Sequence, residues 1–152
     1  MTTEVRAPND ERGEFPARLA SLHATAAFVQ AFCDRHRLPR ATALHLTLVV
    51  EELFTNSVTH GHGGDSDQTI VIDLSARAGS VLLGYADAAP RFDPRPRLRT
   101  PPESLGAPAD ERPTGGLGLH LVGRLASRVR YAYRGGNRIV LAMPIACGSA
   151  DA

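Results

Sequence analysis

The chain has 152 residues, of which 43% are hydrophobic and 22% charged, and its formal net charge is +1. This length is enough for one domain with one hydrophobic core, and so balanced a charge argues against nucleic-acid binding through bulk electrostatics. All 17 basic residues are arginine, so the lysine with which a P-loop reaches the phosphates is missing.

The first third of the chain carries the spacing of two helices. Apolar residues recur every three or four positions from Leu22 to Cys33, which predicts a helix over residues 17–37 with a buried thiol at Cys33. A second stretch with this spacing predicts a helix over residues 40–59, after a break at Leu38-Pro39. The glycines of HGHGG give that helix its stop.

Strands and a long loop follow. Period-two alternation predicts strands over 69–77 and 81–87, joined by a hairpin at Ala78-Gly79. Residues 88–114 contain seven prolines and little periodicity, which is typical of a functional lid or a disordered segment. GGLGLHLVGRLA then opens a third helix, and two closing strands over 129–134 and 138–143 flank the turn Gly135-Gly136-Asn137.

This order of elements predicts the fold class. Sequential hairpins and separate helices favour a two-layer α/β sandwich with a mixed, mostly antiparallel sheet, helices on one face and a lid. Strands and helices do not alternate, which excludes a doubly wound fold. We expect residues 14–144 to form the domain and residues 1–13 and 145–152 to be flexible tails.

The second predicted helix carries a polar stripe in EELFTNSVTHG. Glu52, Asn56 and His60 are four residues apart and therefore lie on one helical face. An amide oxygen suits Mg²⁺, which takes few protein ligands beside phosphate and water, and a carboxylate one turn away could deprotonate a nucleophile. The alternative is an exposed polar face without function.

Two further segments suggest a nucleotide. Asp87 ends a strand in DAAPRFDP, where a carboxylate can accept a hydrogen bond from an exocyclic amine such as that of adenine, although turn-capping is the simpler explanation. The glycines of GGLGLHLV stand where a loop becomes a helix. Backbone N–H groups there can approach an anion, whereas the alternative is a tight turn.

Together the three segments resemble the N box and the two glycine boxes of the GHKL ATPase superfamily, which includes gyrases, heat-shock chaperones and sensor histidine kinases. They are most similar to the anti-sigma-factor serine kinases. EELFTNSVTHG resembles the E-x-x-T-N-x-x-x-H-G pattern of those kinases, DAAPRFDP their D-x-G-x-x-F-D-P and GGLGLHLV their GG-x-GL-x-L-[IV]. The final YRGGNRIVLAMP is similar to their last hairpin, so the resemblance covers roughly residues 14–144.

The resemblance implies a role for each motif. Glu52 would be the general base, Asn56 the Mg²⁺ ligand, and Asp87 the acceptor for the adenine amino group. Residues 95–114 would be the ATP lid. The implied binding residues, with wall or phosphate contacts, are Asn56, His60, Asp87, Ala89, Phe92, Gly115, Gly116, Leu117, Gly118 and Leu119.

The implied function is an ATP- and Mg²⁺-dependent serine/threonine kinase. Its partner would be an anti-anti-sigma protein of the STAS type, and it would also sequester a sigma factor and form a homodimer. The alternative is a nucleotide-gated binding module with little or no catalysis. The ATPase half of a sensor histidine kinase is disfavoured, because the short N-terminus holds no helical dimerisation domain.

Two positions depart from the family pattern. Ala89 stands where the family usually has glycine, and a β-carbon at positive φ would cost roughly 1–2 kcal/mol, whereas at negative φ the change is nearly neutral. Leu117 stands where many of these kinases carry arginine, which could alter a contact to the γ-phosphate or to a partner.

The location of the protein is predicted from what the sequence lacks. No apolar stretch is long enough to span a membrane, and the N-terminus does not have the pattern of a signal peptide. We therefore expect a cytoplasmic protein without membrane contact. Neither Cys33 nor Cys147 lies in a CxxC pair, which makes a zinc or redox site unexpected.

Overall fold

The computed structural model describes residues 11–99 and 116–146. One layer is a sheet of five strands, and the other consists of helices. The strands are β1 (Glu11–Pro16), β2 (Thr69–Arg77), β3 (Ser80–Asp87), β4 (Arg128–Tyr133) and β5 (Asn137–Pro144). The helices are α1 (Leu22–Arg35), α2 (Arg40–Asn56), the short α3 (Arg95–Leu98) and α4 (Gly116–Leu125). The predicted two-layer α/β sandwich is confirmed.

The sheet has the strand order β1-β2-β3-β5-β4, and each pair of neighbours is antiparallel. The last hairpin therefore places its second strand beside β3, so that Asn137 lies opposite Asp87. Both predicted hairpin turns are present, with Gly79 at φ 78° and Gly135 at φ 70°. Glycine adopts these positive values without a steric penalty.

The core lies between the sheet and the helices. Alternate residues of the three central strands point toward it, as the period-two pattern requires. The buried strand residues are Ile70, Ile72, Leu74, Val81, Leu83, Tyr85, Ile139, Leu141 and Met143. The helices contribute Val29, Phe32, Leu46, Val49, Leu53 and Val122. Cys33 is a buried free thiol, as predicted, and burial raises its pKa to about 11.

Helix α1 is shorter than the predicted 17–37. The chain leaves β1, makes a 3₁₀ turn at Leu19–Ser21 and becomes α-helical only at Leu22. At its C-terminus, Arg37 has φ 51° and the N–H of Leu38 donates to the carbonyl of Cys33 at 2.9 Å. This is a Schellman motif, in which a residue with left-handed backbone conformation ends the helix. The helix therefore ends before Pro39, which could not continue it.

Helix α2 departs from the prediction at its C-terminal end. The α-helix ends at Asn56, and residues Ser57–Gly61 form a π-helical turn in which the N–H of His62 donates to the Ser57 carbonyl. The predicted glycine stop follows, with Gly63 and Gly64 at positive φ. The π turn widens the helix at the residues that carry the predicted motif, as such turns often do at functional sites.

Described residues on both sides of the predicted domain, 14–144, also make backbone hydrogen bonds. Strand β1 begins at Glu11, because the backbone of residues 11–13 pairs with β2. After β5, the Ile145 N–H donates to the Gly79 carbonyl at 3.0 Å, and the Ala146 N–H donates to Thr42 Oγ1 at 2.9 Å. Within the described residues, none of the helices has the length and apolarity to cross a membrane.

The contact between α3 and α4 depends on a glycine. A β-carbon at Gly123 would overlap the Leu98 carbonyl group and lie 3.1 Å from the Leu98 Cα atom. We expect Gly123→Ala to lower the free energy of unfolding by about 1–3 kcal/mol, because backbone must move to relieve the overlap. Thermal and urea unfolding measure this change.

Gly84→Ala is the matched control. A β-carbon at Gly84 would lie 3.4 Å from the Asp73 side chain, which is an ordinary contact. We expect this variant to unfold at or above the temperature of the parent. A Gly123→Ala protein that is as stable as the parent would contradict this expectation. It would show that α3 and α4 can move apart at little cost in free energy.

Candidate nucleotide site

A cavity of about 240 Å³ opens between the C-terminal end of α2, the ends of three strands and the loop after β3. Its wall combines apolar side chains with a few polar groups, which is the usual make-up of a small-molecule site. It is lined by Leu53, Asn56, Ser57, His60, Gly61, Tyr85, Asp87, Ala89, Pro90, Arg91, Phe92, Pro94, Leu119, Tyr131, Asn137 and Ile139. Six of the predicted binding residues are in this set.

Glu52 does not line the cavity, but it lies one helical turn before Asn56, which does. Its half-buried carboxylate packs directly on Gly118, at the start of α4, where any β-carbon would overlap it. Partial burial raises the pKa of Glu52, and the charge of Glu51 raises it further. The predicted acid and the predicted glycine-rich turn are therefore in contact.

Asn56 and His60 both face the cavity. Asn56 is half-buried, and its side chain makes no hydrogen bond to any other described residue. Its amide oxygen is therefore available to coordinate a metal ion. Among the described residues, no three histidine, cysteine or acidic side chains are grouped so that they could hold a metal ion. A single amide oxygen fits Mg²⁺ that is held mainly by phosphate oxygens and water. His60 is exposed, and its role as a wall residue stays a prediction.

Asp87 is surrounded by donors. Ser57 Oγ donates to its Oδ2 at 2.6 Å, while its Oδ1 accepts from the Ala89 N–H at 3.1 Å and from Asn137 Nδ2 at 2.9 Å. Each carboxylate oxygen offers about two lone-pair sites, so Oδ2 can still accept a donor from the cavity. This is the hydrogen-bonding capacity that an adenine amino group requires.

The hydroxyl groups of Tyr85 and Ser57 form a buried chain of hydrogen bonds that ends at Asp87. Tyr85 is 4% exposed, and its hydroxyl lies 2.7 Å from Ser57 Oγ and 3.1 Å from the Leu53 carbonyl. Burial raises the pKa of Tyr85 well above its ordinary value, so this hydroxyl stays protonated and donates. The hydrogen bond from Tyr85 fixes the rotamer of Ser57 and hence the hydrogen bond from Ser57 to Asp87.

The structure decides whether φ at Ala89 is positive or negative, which the sequence left open. Among the described non-glycine residues only Arg37 has positive φ, so the backbone at Ala89 is not left-handed and the strain considered for it does not arise. The methyl group is 2% exposed and faces Gly61, where a β-carbon would lie 2.8 Å from it. Glycine at position 61 therefore makes room for alanine at position 89.

Phe92 and Leu119 both line the cavity. The Arg97 guanidinium lies 5.5 Å from the Phe92 ring centroid, and Leu119 is 1% exposed. Gly116, Leu117, Gly118 and Leu119 form the first turn of α4, whose N–H groups have no partner within the helix. Gly115 lies outside the described residues, as does the predicted lid from residue 100 to residue 114, whereas its start is helix α3.

Several candidate residues at the cavity were not predicted from the sequence. Ser57 lies within EELFTNSVTHG at a position that the family pattern leaves open, and Tyr85 and Tyr131 lie outside the motifs. Their hydroxyl groups gain partners only through tertiary contacts, which show no spacing that sequence reasoning can detect. Asn137 was interpreted only as a turn residue, yet it begins β5 and binds the loop after Asp87. The only signal for it was a polar amide directly after two glycines, which is equally typical of a simple hairpin turn.

The raised pKa of Glu52 has a consequence for stability. Because the charged form is disfavoured by burial, the folded protein loses stability as pH rises through this pKa. We expect Glu52→Gln to raise the melting temperature at about pH 8, and this gain to shrink toward about pH 4, where the parent acid is also neutral. Thermal unfolding at several pH values tests this.

Glu14→Gln, at an exposed position on β1, is the matched control and should show little gain at any pH. A gain for Glu52→Gln that does not depend on pH would contradict the electrostatic explanation.

Comparison with known sequences places these features in a family. The sequence matches the histidine kinase-like ATPase domain family over residues 15–143. The serine-protein kinases RsbW of Listeria innocua serovar 6a and Listeria monocytogenes serotype 4a are each 30% identical to the chain over 97 residues. That match covers 63% of this chain and 62% of each relative, so the chain spans less than two thirds of their length.

Solved structures show the same fold. The RsbU and RsbW domains of Rv1364c from Mycobacterium tuberculosis align with a TM-score of 0.60 and 16% identity, covering 89% of this chain and 32% of that one. The SiaB–SiaC complex from Pseudomonas aeruginosa aligns with a TM-score of 0.58 and 13% identity, covering 88% and 87%. The match over nearly the whole sequence confirms the expected superfamily, and the chain belongs to the histidine kinase-like ATPase domain family.

Proposed function

We propose that this protein is an ATP-dependent serine/threonine kinase of the anti-sigma-factor type. The observation that carries the proposal is the contact of the Glu52 carboxylate with Gly118 at the start of α4, one turn from Asn56, whose amide has no hydrogen-bond partner among the described residues. A base, a metal ligand and an anion-binding helix terminus are thus adjacent. A protein that only bound nucleotide would have no use for the base.

Each residue has a proposed task in binding. Asp87 accepts a hydrogen bond from the adenine amino group through the free capacity of Oδ2, while Phe92 and Leu119 contact the base. The first-turn N–H groups of α4 bind phosphate oxygens, assisted by the helix dipole. Asn56 would hold Mg²⁺, which when bound neutralises phosphate charge.

In the transfer step, Glu52 accepts the proton of a serine or threonine hydroxyl on the partner. The hydroxyl oxygen forms a bond to the γ-phosphorus, the bond from that phosphorus to the β,γ-bridging oxygen breaks, and ADP leaves. The raised pKa of Glu52 makes it a better base than an exposed carboxylate. Its conjugate acid can later release the proton to solvent.

The partner is proposed from the family. The relatives are named serine-protein kinases, and one similar structure is a complex of two proteins, SiaB and SiaC. We propose a STAS-type anti-anti-sigma protein as the phosphorylated substrate, a sigma factor as the sequestered partner, and a homodimer as the working form. The competing proposal, a nucleotide-gated module without catalysis, drew its support from strain at Ala89, and the backbone there carries none.

Phosphoryl transfer distinguishes the two functions. Incubated with labelled ATP, Mg²⁺ and a STAS-domain protein, the parent should leave label on the partner. Glu52→Ala should bind ATP as the parent does and lose about a hundredfold or more in transfer rate, because the general base is gone. Glu14→Ala, at an exposed position on β1 that does not line the cavity, is the control and should retain transfer. Equal transfer by the Glu52 variant and the parent would remove Glu52 from the mechanism.

Nucleotide binding tests the adenine contact separately. Asp87→Asn weakens the acceptor at the base of the cavity and places a second amide against Asn137, so we expect the ATP dissociation constant to rise by about tenfold or more in calorimetric titration. Asp73→Asn is the control, since Asp73 pairs with Arg12 on the other face of the sheet. An unchanged affinity in the Asp87 variant would place adenine elsewhere.

A further inference from the structure

Among the described residues that line the cavity, Asn137 has the side chain with the most hydrogen bonds. Its Nδ2 donates to Asp87 Oδ1 and to the Pro90 carbonyl, each at 2.9 Å, and approaches the Ala89 carbonyl at 3.2 Å. Its Oδ1 accepts the Phe92 N–H at 2.8 Å and the Tyr131 hydroxyl at 2.5 Å. One side chain therefore contacts most of the loop that follows β3.

These contacts use the whole capacity of the amide. The two hydrogens of Nδ2 are shared among three acceptors, and both lone-pair sites of Oδ1 are occupied. The orientation of the amide is fixed as well, because a flipped amide would place its oxygen against a carboxylate and its NH₂ against an N–H. Although Asn137 lines the cavity, it has no group left to bind a ligand.

A second connection runs from Asn137 to the helix that begins the predicted lid. The Arg95 guanidinium lies 5.7 Å from the ring centroid of Tyr131, whose hydroxyl binds Asn137. Arg95 is the first residue of α3 and also donates to the Asp93 carboxylate at 2.7 Å. Stacking of a guanidinium on an aromatic ring is attractive and restricts both groups.

We propose that Asn137 is a positioning residue for nucleotide binding. Its amide holds the Asp87 carboxylate and the loop at residues 88–92 in one geometry, and through Tyr131 it ties that loop to α3. Asn137 acts through Asp87 and the loop and does not touch the reacting atoms. The nature of the ligand rests on the proposed function, whereas the restraint on the loop does not.

Amide hydrogen exchange in the nucleotide-free protein tests the restraint itself. Asn137→Asp keeps the shape of the side chain but turns a donor into an acceptor facing Asp87 and two carbonyls. We expect the N–H groups of Ala89 and Phe92 to exchange about tenfold or more faster, with the central β2 amides unchanged. Unchanged exchange at Ala89 and Phe92 would overturn the proposal.

Gln30→Glu is a closely matched control. Gln30 Nε2 donates to Asp34 Oδ1 at 2.9 Å on the exposed side of α1, so the same amide-to-acid change is made beside an aspartate at the same distance. This variant should leave both loop amides protected. Faster loop exchange in it would show a general effect of added charge and would overturn the assignment to Asn137.

Steady-state phosphorylation tests the consequence for ATP. In Asn137→Asp we expect KM for ATP to rise about tenfold or more while kcat at saturating ATP is retained, since Glu52 and Asn56 are not among its contacts. A fall in kcat with KM unchanged would overturn the positioning role. A parent protein without ATP binding or transfer would remove the proposed function, yet the exchange experiment would still decide the restraint.

Tyr131→Phe provides a milder variant should Asn137→Asp unfold. It removes one donor to Oδ1 and keeps the ring beside Arg95. We expect a smaller increase of exchange at Phe92 and a smaller rise in KM. No change in either would overturn the proposed tie between the loop and α3.

Discussion

The arrangement of the cavity depends on the hydrogen bonds of the Asp87 carboxylate, which lies where three separate parts of the chain meet. Its donors are Ser57 on the π turn, Ala89 in the following loop and Asn137 at the start of β5. A half-buried carboxylate is stable only when donors replace the water it has lost. The last turn of α2, the loop and the last hairpin are therefore positioned relative to this one group.

Two glycines allow close contacts at or beside the cavity. Because Gly118 has no β-carbon, the Glu52 carboxylate can pack at the start of α4, and Gly61 leaves space for the methyl group of Ala89 in the same way. In both pairs two segments distant in sequence approach more closely than any β-carbon would allow. The glycines of the motifs thus serve packing as well as backbone access to an anion.

Hydrophobic periodicity predicted the elements of the fold well, because one face of each helix and strand must be buried. It failed where tertiary contacts replaced local preferences. The π turn at Ser57–Gly61 occurs where the Tyr85 hydroxyl contacts both Ser57 and the Leu53 carbonyl, and no local pattern encodes such a contact. Strand β1 was not among the predicted strands, and it forms because its backbone pairs with the edge of β2.

By itself the sequence determined the family and the two-layer fold, and it supplied Glu52, Asn56 and Asp87 as the candidate polar residues of the site, since they stand in motifs whose order and spacing are specific. Tertiary structure alone decided the backbone conformation at Ala89, the contact of Glu52 with Gly118 and the role of Asn137 as the partner of the loop. The physical reason is that these features depend on which distant segments meet across β3 and β5. Spacing along one chain reports only on neighbours within a single helix or strand.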